Sequence, residues 1–210
     1  MKSVYSVILS DELVRRLDAV AYENEVSRSV MLNKILADYL MVETPDTVME
    51  NIFTSMENLF GAVSGMRFVN QASISMASVM SALDYRYNPK IKYSVELFPA
   101  GDLGQLKISL RSQNPVLIDL LEGFYSFFIS LEEKYIGKRT YGYGDNRFVR
   151  ILLRPNGLSP KKMGEEITSF VVCFDKLLRT FFANLSDIEY AKKRVENEYL
   201  LQLKSKEVLL

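Results

Sequence analysis

The placement of glycine and proline constrains this chain most. All ten glycines of the 210 residues lie at or after Gly61, and all six prolines lie at or after Pro45. Residues 1–44 therefore contain neither of the usual chain punctuators. They must fold as a compact run of regular elements whose turns are made by other residue types. From Pro45 onward, strands, helices and glycine-containing turns mix. A boundary is expected near Thr44-Pro45, with a first block at 1–44, an α+β block at 45–210, and a helical connection over 45–84.

Within the first block, Ser3-Val4-Tyr5-Ser6-Val7-Ile8-Leu9 has the alternation of a strand. Tyr5, Val7 and Leu9 share one face; Lys2, Val4, Ser6 and Ile8 share the other. Ser10 is placed to cap a helix whose first turn carries Asp11 and Glu12, and Leu13, Leu17, Val20 and Ala21 form its apolar stripe. After Asn24-Glu25-Val26, Ser27-Arg28-Ser29 opens a second helix with Val30, Met31, Ile35, Leu36, Tyr39 and Leu40. One strand and two short helices cannot enclose a core alone, and a lone strand needs a partner. The economical solution is a two-fold dimer in which two strands pair and four helices close over one core.

The stretch MKSVYSVILSDELVRRLDAVAYENEVSRSVMLNKILADYL resembles the ribbon-helix-helix DNA-binding domains of the Arc/MetJ superfamily. The resemblance covers about the first 42 residues. It implies a two-stranded ribbon inserted in the DNA major groove, with Lys2, Val4, Ser6 and Ile8 toward base edges. It also implies a phosphate held at the start of the second helix by Ser27, Arg28 and Ser29, with Lys34 nearby. Val4 and Ile8 are apolar where relatives are often polar. They either meet thymine methyl groups or pack against protein. Members of the family usually place glycine just before the second helix; Glu25 stands there here, and Asn24 is the residue expected to turn left-handed. Residues 1–44 carry five basic and seven acidic side chains, so phosphate attraction has to be local or shared among several dimers.

In the second block, Thr44-Pro45, Asn114-Pro115 and Ser159-Pro160 each set a capping residue before a proline at the first helical position. Ser186 with Glu189 has capping-box spacing. Helices are expected over 45–60, 72–84, 115–134, 160–184 and 187–206, and hairpins over 91–111 and 139–153. The hairpin-plus-helix unit thus occurs twice. Helix 115–134 is apolar almost all round, which predicts burial. The basic hairpin with Arg139, Arg147, Arg150 and Arg154 interleaves cations with aromatics. It is read either as a solvated strand face or as a site for an anionic ligand, an RNA or a DNA backbone. The pairs Glu132-Glu133 and Glu165-Glu166 are expected in solvent, and Met49, Met56, Met66, Met76 and Met80 are expected to fill core or interface gaps. The last helix, with Ile188, Val195, Tyr199 and Leu203, is expected to be an interaction surface.

Composition excludes several functions. There is no histidine, and Cys173 is the single cysteine. This removes the commonest general base and metal ligand, every Ser-His or Cys-His pair, and any intrachain disulfide. Cys173 is expected to be a buried, inert thiol. Lys+Arg and Asp+Glu both number 26, so the net charge is zero and a uniformly basic coat protein is excluded. The opening apolar run is too short for a signal peptide or a membrane span. The expectation is a cytoplasmic, non-enzymatic homodimer without cofactor or metal. It would bind double-stranded DNA as a transcriptional repressor, its second block serving oligomerisation or effector binding. The alternatives are a plasmid partition or relaxosome protein that recruits a protein partner, or an antitoxin-like interaction module.

Overall fold

The computed structural model describes residues 4–70, 73–144 and 146–204. Its architecture is mixed α and β, in two compact units divided between Thr47 and Val48.

The first unit contains α1 (Asp11–Glu23) and α2 (Arg28–Leu40). Residues 4–10 precede α1 without regular secondary structure, so helices, not a strand, come first within the single chain. Ser10 and Ser27 cap the two helices, their hydroxyls accepting from the Leu13 and Val30 amides. The absence of glycine shows at both helix ends. After α1 the Glu25 amide donates to Tyr22 and the Val26 amide to Ala21, the paired bonds of a Schellman stop. The residue forced left-handed is Glu25, at φ 54°, whereas Asn24 stays at φ −94°. This corrects the expectation for Asn24: the bond pattern places the αL residue one position later. Met41, at φ 53°, closes α2 in the same way.

The second unit begins within the first turn of α3 (Pro45–Phe60), which Thr44 caps through the Thr47 amide at 3.1 Å. An antiparallel six-stranded sheet follows, made of β1 (Arg67–Asn70), β2 (Met76–Ala82), β3 (Lys90–Leu97), β4 (Gly104–Leu110), β5 (Tyr141–Gly144) and β6 (Arg147–Leu152). Its order is β1-β2-β3-β4-β6-β5. Helix α4 (Pro115–Tyr135) divides the hairpins, and α5 (Pro160–Phe182) and α6 (Ile188–Lys204) end the described chain.

The expected helix over 72–84 is instead strand β2. Serines and methionines there mimic a helical period, but Ala77 and Val79 alternate into the core, and the segment pairs with β1 and β3. The final helix is capped by Asp187, which accepts from the Tyr190 amide at 3.0 Å, rather than by Ser186. Asn114 and Ser159 cap α4 and α5 as expected. Residues 205 and 206 of the expected last helix, and Asp145 of the second turn, lie outside the described residues.

One sheet face is dry: Val79, Tyr93, Val95, Leu106, Ile108, Phe148 and Leu152 are fully buried beneath aromatic residues of α4 and α5. Phe174 of α5 touches Tyr93, Phe124, Phe128 and Phe148 at centroid distances of 4.8–6.3 Å, filling the centre of the core. Helix α4 buries only one side: Leu117, Leu121, Phe124 and Phe128 are buried, whereas Asp119, Gly123, Ser126 and Ser130 are exposed. In α6, Val195 and Tyr199 pack into this core while Ile188 stays partly exposed. Met49 and Met56 are buried, and Met66 packs against the same core.

The repeated hairpin-plus-helix units meet where β4 pairs with β6. Each helix carries a buried carboxylate that accepts a hydrogen bond from a tyrosine on the first strand of the other hairpin. Glu132 of α4 takes Tyr141 of β5, and Asp175 of α5 takes Tyr93 of β3, both at 2.8 Å.

Candidate nucleic-acid interface

In the first unit the residues singled out from the sequence lie on the surface. Val4 is 99% and Ile8 100% exposed, and Ser6 is exposed between them; Lys2 lies outside the described residues. Tyr5 and Val7, on the other face of the same segment, are exposed as well. The core of this unit is small: Leu17, Ala21 and Met31, with Val26 and Leu32 against them. Leu13, Val20, Ile35, Leu36, Tyr39 and Leu40 are all exposed. Among the described residues, thirteen of the twenty-two exposed large apolar side chains lie between Val4 and Val42.

At the start of α2 the Ser27 hydroxyl is occupied by the Val30 amide. The amides of Arg28 and Ser29 belong to the first turn, where a helix has no internal acceptor for them. Arg28 reaches back to α1 and donates both Nε and a terminal nitrogen to Asp18, each at 2.6 Å. That hydrogen-bonded pair holds the Asp18 carboxyl below the usual carboxylate range and raises Arg28. Arg28 is exposed and Asp18 half-buried, their side chains 55% and 45% accessible, so the pair is open to exchange for another anion. Ser29 and Lys34 are exposed farther along the helix.

The four arginines of the second hairpin do not form one site. Arg150 shares a face with Phe148, as the alternation implies, and that face is the core. Its guanidinium is fully buried, pairs with Glu132 at 2.8 Å and lies 4.4 Å from the Phe170 ring centroid. Glu132, expected in solvent, is equally buried because it faces this arginine. Arg154 donates to the carbonyls of Phe98, Gly101 and Asp102, tying down the turn between β3 and β4. Neither is available to an effector. Arg139 is half-buried, and its Nε has no partner among the described residues. Arg147 is exposed, and its neighbours across the sheet are Ser109 and then Lys92. Those neighbours were missed from sequence because they are the polar, outward positions of strands read only for their apolar halves.

Cys173 is half-buried rather than buried. Among the described residues, no group of three or more His, Cys, Asp or Glu side chains is arranged to hold a metal, and no helix is long and apolar enough to cross a membrane. No protein-family model, curated protein or solved structure matches the chain.

Proposed function

We propose that the chain is a homodimeric, sequence-specific DNA-binding protein that represses transcription by occupying its operator. The observation that carries this reading is the concentration of exposed apolar side chains in residues 4–42. A soluble monomer rarely leaves so many large apolar side chains exposed within one small unit. A second copy relieves it: residues 4–9 pair across a two-fold axis, and Leu13, Ile35, Leu36 and Leu40 become a shared core. Pairing supplies the backbone partners that residues 4–9 need as a strand and presents Val4, Ser6 and Ile8 on one outward face.

Ser27-capped α2 then brings its first-turn amides to a backbone phosphate, and Arg28 exchanges Asp18 for that phosphate. Two substitutions in the full chain test this exchange. Arg28→Ala weakens binding to all sequences and lowers the salt slope by about one unit for each phosphate no longer neutralised. Asp18→Asn frees Arg28 and tightens binding to all sequences. Ser6→Ala, at the only hydroxyl of the outward face, changes sequence preference instead. If Arg28→Ala and Asp18→Asn both leave DNA affinity unchanged, the ribbon is not in the groove.

A further inference from the structure

The other face of the six-stranded sheet is built differently from the dry one. Directly opposed residues of an antiparallel ladder share a face, so the register fixes its composition. One row runs Arg67, Met80, Lys92, Ser109, Arg147 across five strands. The next runs Val69, Ser78, Ser94, Lys107, Val149. Lys90 lies on the same face, opposite Ala82. Arg111, exposed, follows β4 at that end.

Five ladder positions of this face are therefore cationic: Arg67, Lys90, Lys92, Lys107 and Arg147. The one carboxylate at its ladder positions is Glu96, and Gln105 holds it at 2.6 Å. No ion pair with a described residue engages any of the five cations. In a chain with zero net charge, this is a strong local segregation. Lys107 stands diagonal to both Lys92 and Arg147 on the neighbouring strands, within reach of long side chains.

We propose that this sheet face binds the sugar-phosphate backbone of duplex DNA, as a second contact surface beyond the N-terminal ribbon. The choice of DNA as the polyanion rests on the ribbon reading; the cationic face itself does not. Strands lie about 4.8 Å apart, so the row from Arg67 to Arg147 extends about 19 Å. Duplex DNA carries one charge per about 1.7 Å of axis, so that length displays roughly eleven phosphates. Single-stranded nucleic acid is taken by aromatic platforms on which bases stack. Apart from Glu96 and Gln105, the ladder positions of this face hold cations, serines, methionines, glycines and aliphatic side chains, with no aromatic ring. Backbone charge, rather than base stacking, is what such a surface recognises. The first unit, acidic on balance, gains from it the attraction it lacks.

The test compares the full chain with a Lys92→Ser, Lys107→Ser, Arg147→Ser variant on a fluorescent 30-base-pair duplex between 50 and 200 mM salt. Removing three cations from phosphates flattens the salt slope by about 2.7, so across this range the native protein loses roughly 40-fold more affinity than the variant. An unchanged slope and affinity overturn the proposal. Lysine acetylation of the unaltered protein reads the same surface without substitution. Duplex protects Lys92 and Lys107 but not Lys193; equal labelling with and without DNA also overturns it. Binding an acidic peptide or single-stranded DNA as tightly as the duplex overturns the assignment of duplex DNA as the ligand. Ile8→Asp separates the two readings. If it leaves sequence preference intact while the triple variant lowers the slope, the ribbon reading fails and the sheet proposal stands.

Discussion

Replacing Arg150 with methionine probes the interior of the second unit most sharply. The Arg150 and Glu132 side chains are both 0% exposed, and their single direct contact is Nε to Oε2 at 2.8 Å. Tyr141 donates to the same oxygen, while Glu132 Oε1 and both terminal nitrogens of Arg150 have no partner among the described residues. Removing the cation leaves a buried carboxylate with one hydroxyl donor. Breaking such a pair costs about 3–5 kcal/mol, a large share of the roughly 5–15 kcal/mol typical of a domain. Replacing all three groups, as Glu132→Leu, Arg150→Met and Tyr141→Phe, removes the desolvation cost together with the attraction. That variant should lie near native stability or up to about 4 kcal/mol above it. Urea unfolding followed by far-ultraviolet circular dichroism measures both, and the triple variant should recover what Arg150→Met loses. An Arg150→Met loss below about 1 kcal/mol would mean that the pair is hydrated in solution, refuting the reasoning from burial.

Alkaline titration offers a second check. Burial raises the phenols of Tyr93, Tyr125, Tyr141 and Tyr199 above the ordinary value, assisted by Asp175 at Tyr93 and by Glu132 at Tyr141 and Tyr199. A folded-state value above the unfolded one gives stability that is complete below about pH 10 and lost as pH rises further. Four of the twelve tyrosines should therefore stay un-ionised by ultraviolet absorbance until the second unit unfolds. Glu25→Gly should stabilise the first unit by about 0.5–1 kcal/mol, because relief of the left-handed strain exceeds glycine's added chain entropy; an unchanged unfolding midpoint would contradict that. Gly164→Ala should cost about 1–3 kcal/mol, since a Cβ there would lie 2.6 Å from the Ile52 carbonyl of α3 and 2.8 Å from Ser55 Cβ; native stability would show that α3 and α5 can move apart.

Local signals in the sequence reached far into the second unit. The capping residues before three prolines and the strict alternation in β3 and β4 were legible because each depends on neighbouring residues alone. Segment 72–84 misled because small serines tolerate either period, and only pairing with β3 decides the matter. The alternation of β6 placed Arg150 beside Phe148, but its partner Glu132 lies on another element, so the pair could not be read from the hairpin. The left-handed residue is Glu25 rather than the expected Asn24, because that position follows from which amides close the helix end. The cationic sheet face depends on register across β1, β2, β3, β4 and β6, which no single segment encodes.

For the ribbon to form, two copies of residues 4–9 must lie side by side. Spin labels at Ser6→Cys in a Cys173→Ser background, read by the dipolar interaction between two copies of the full chain, measure this directly. In a ribbon built from residues 4–9, Ser6 lies at most about three residues from the two-fold axis, which places its two Cα atoms within about 20 Å. A narrow distance distribution at that separation plus the label tethers is the predicted result. Labels with no short distance, at concentrations where the protein binds DNA, would contradict it.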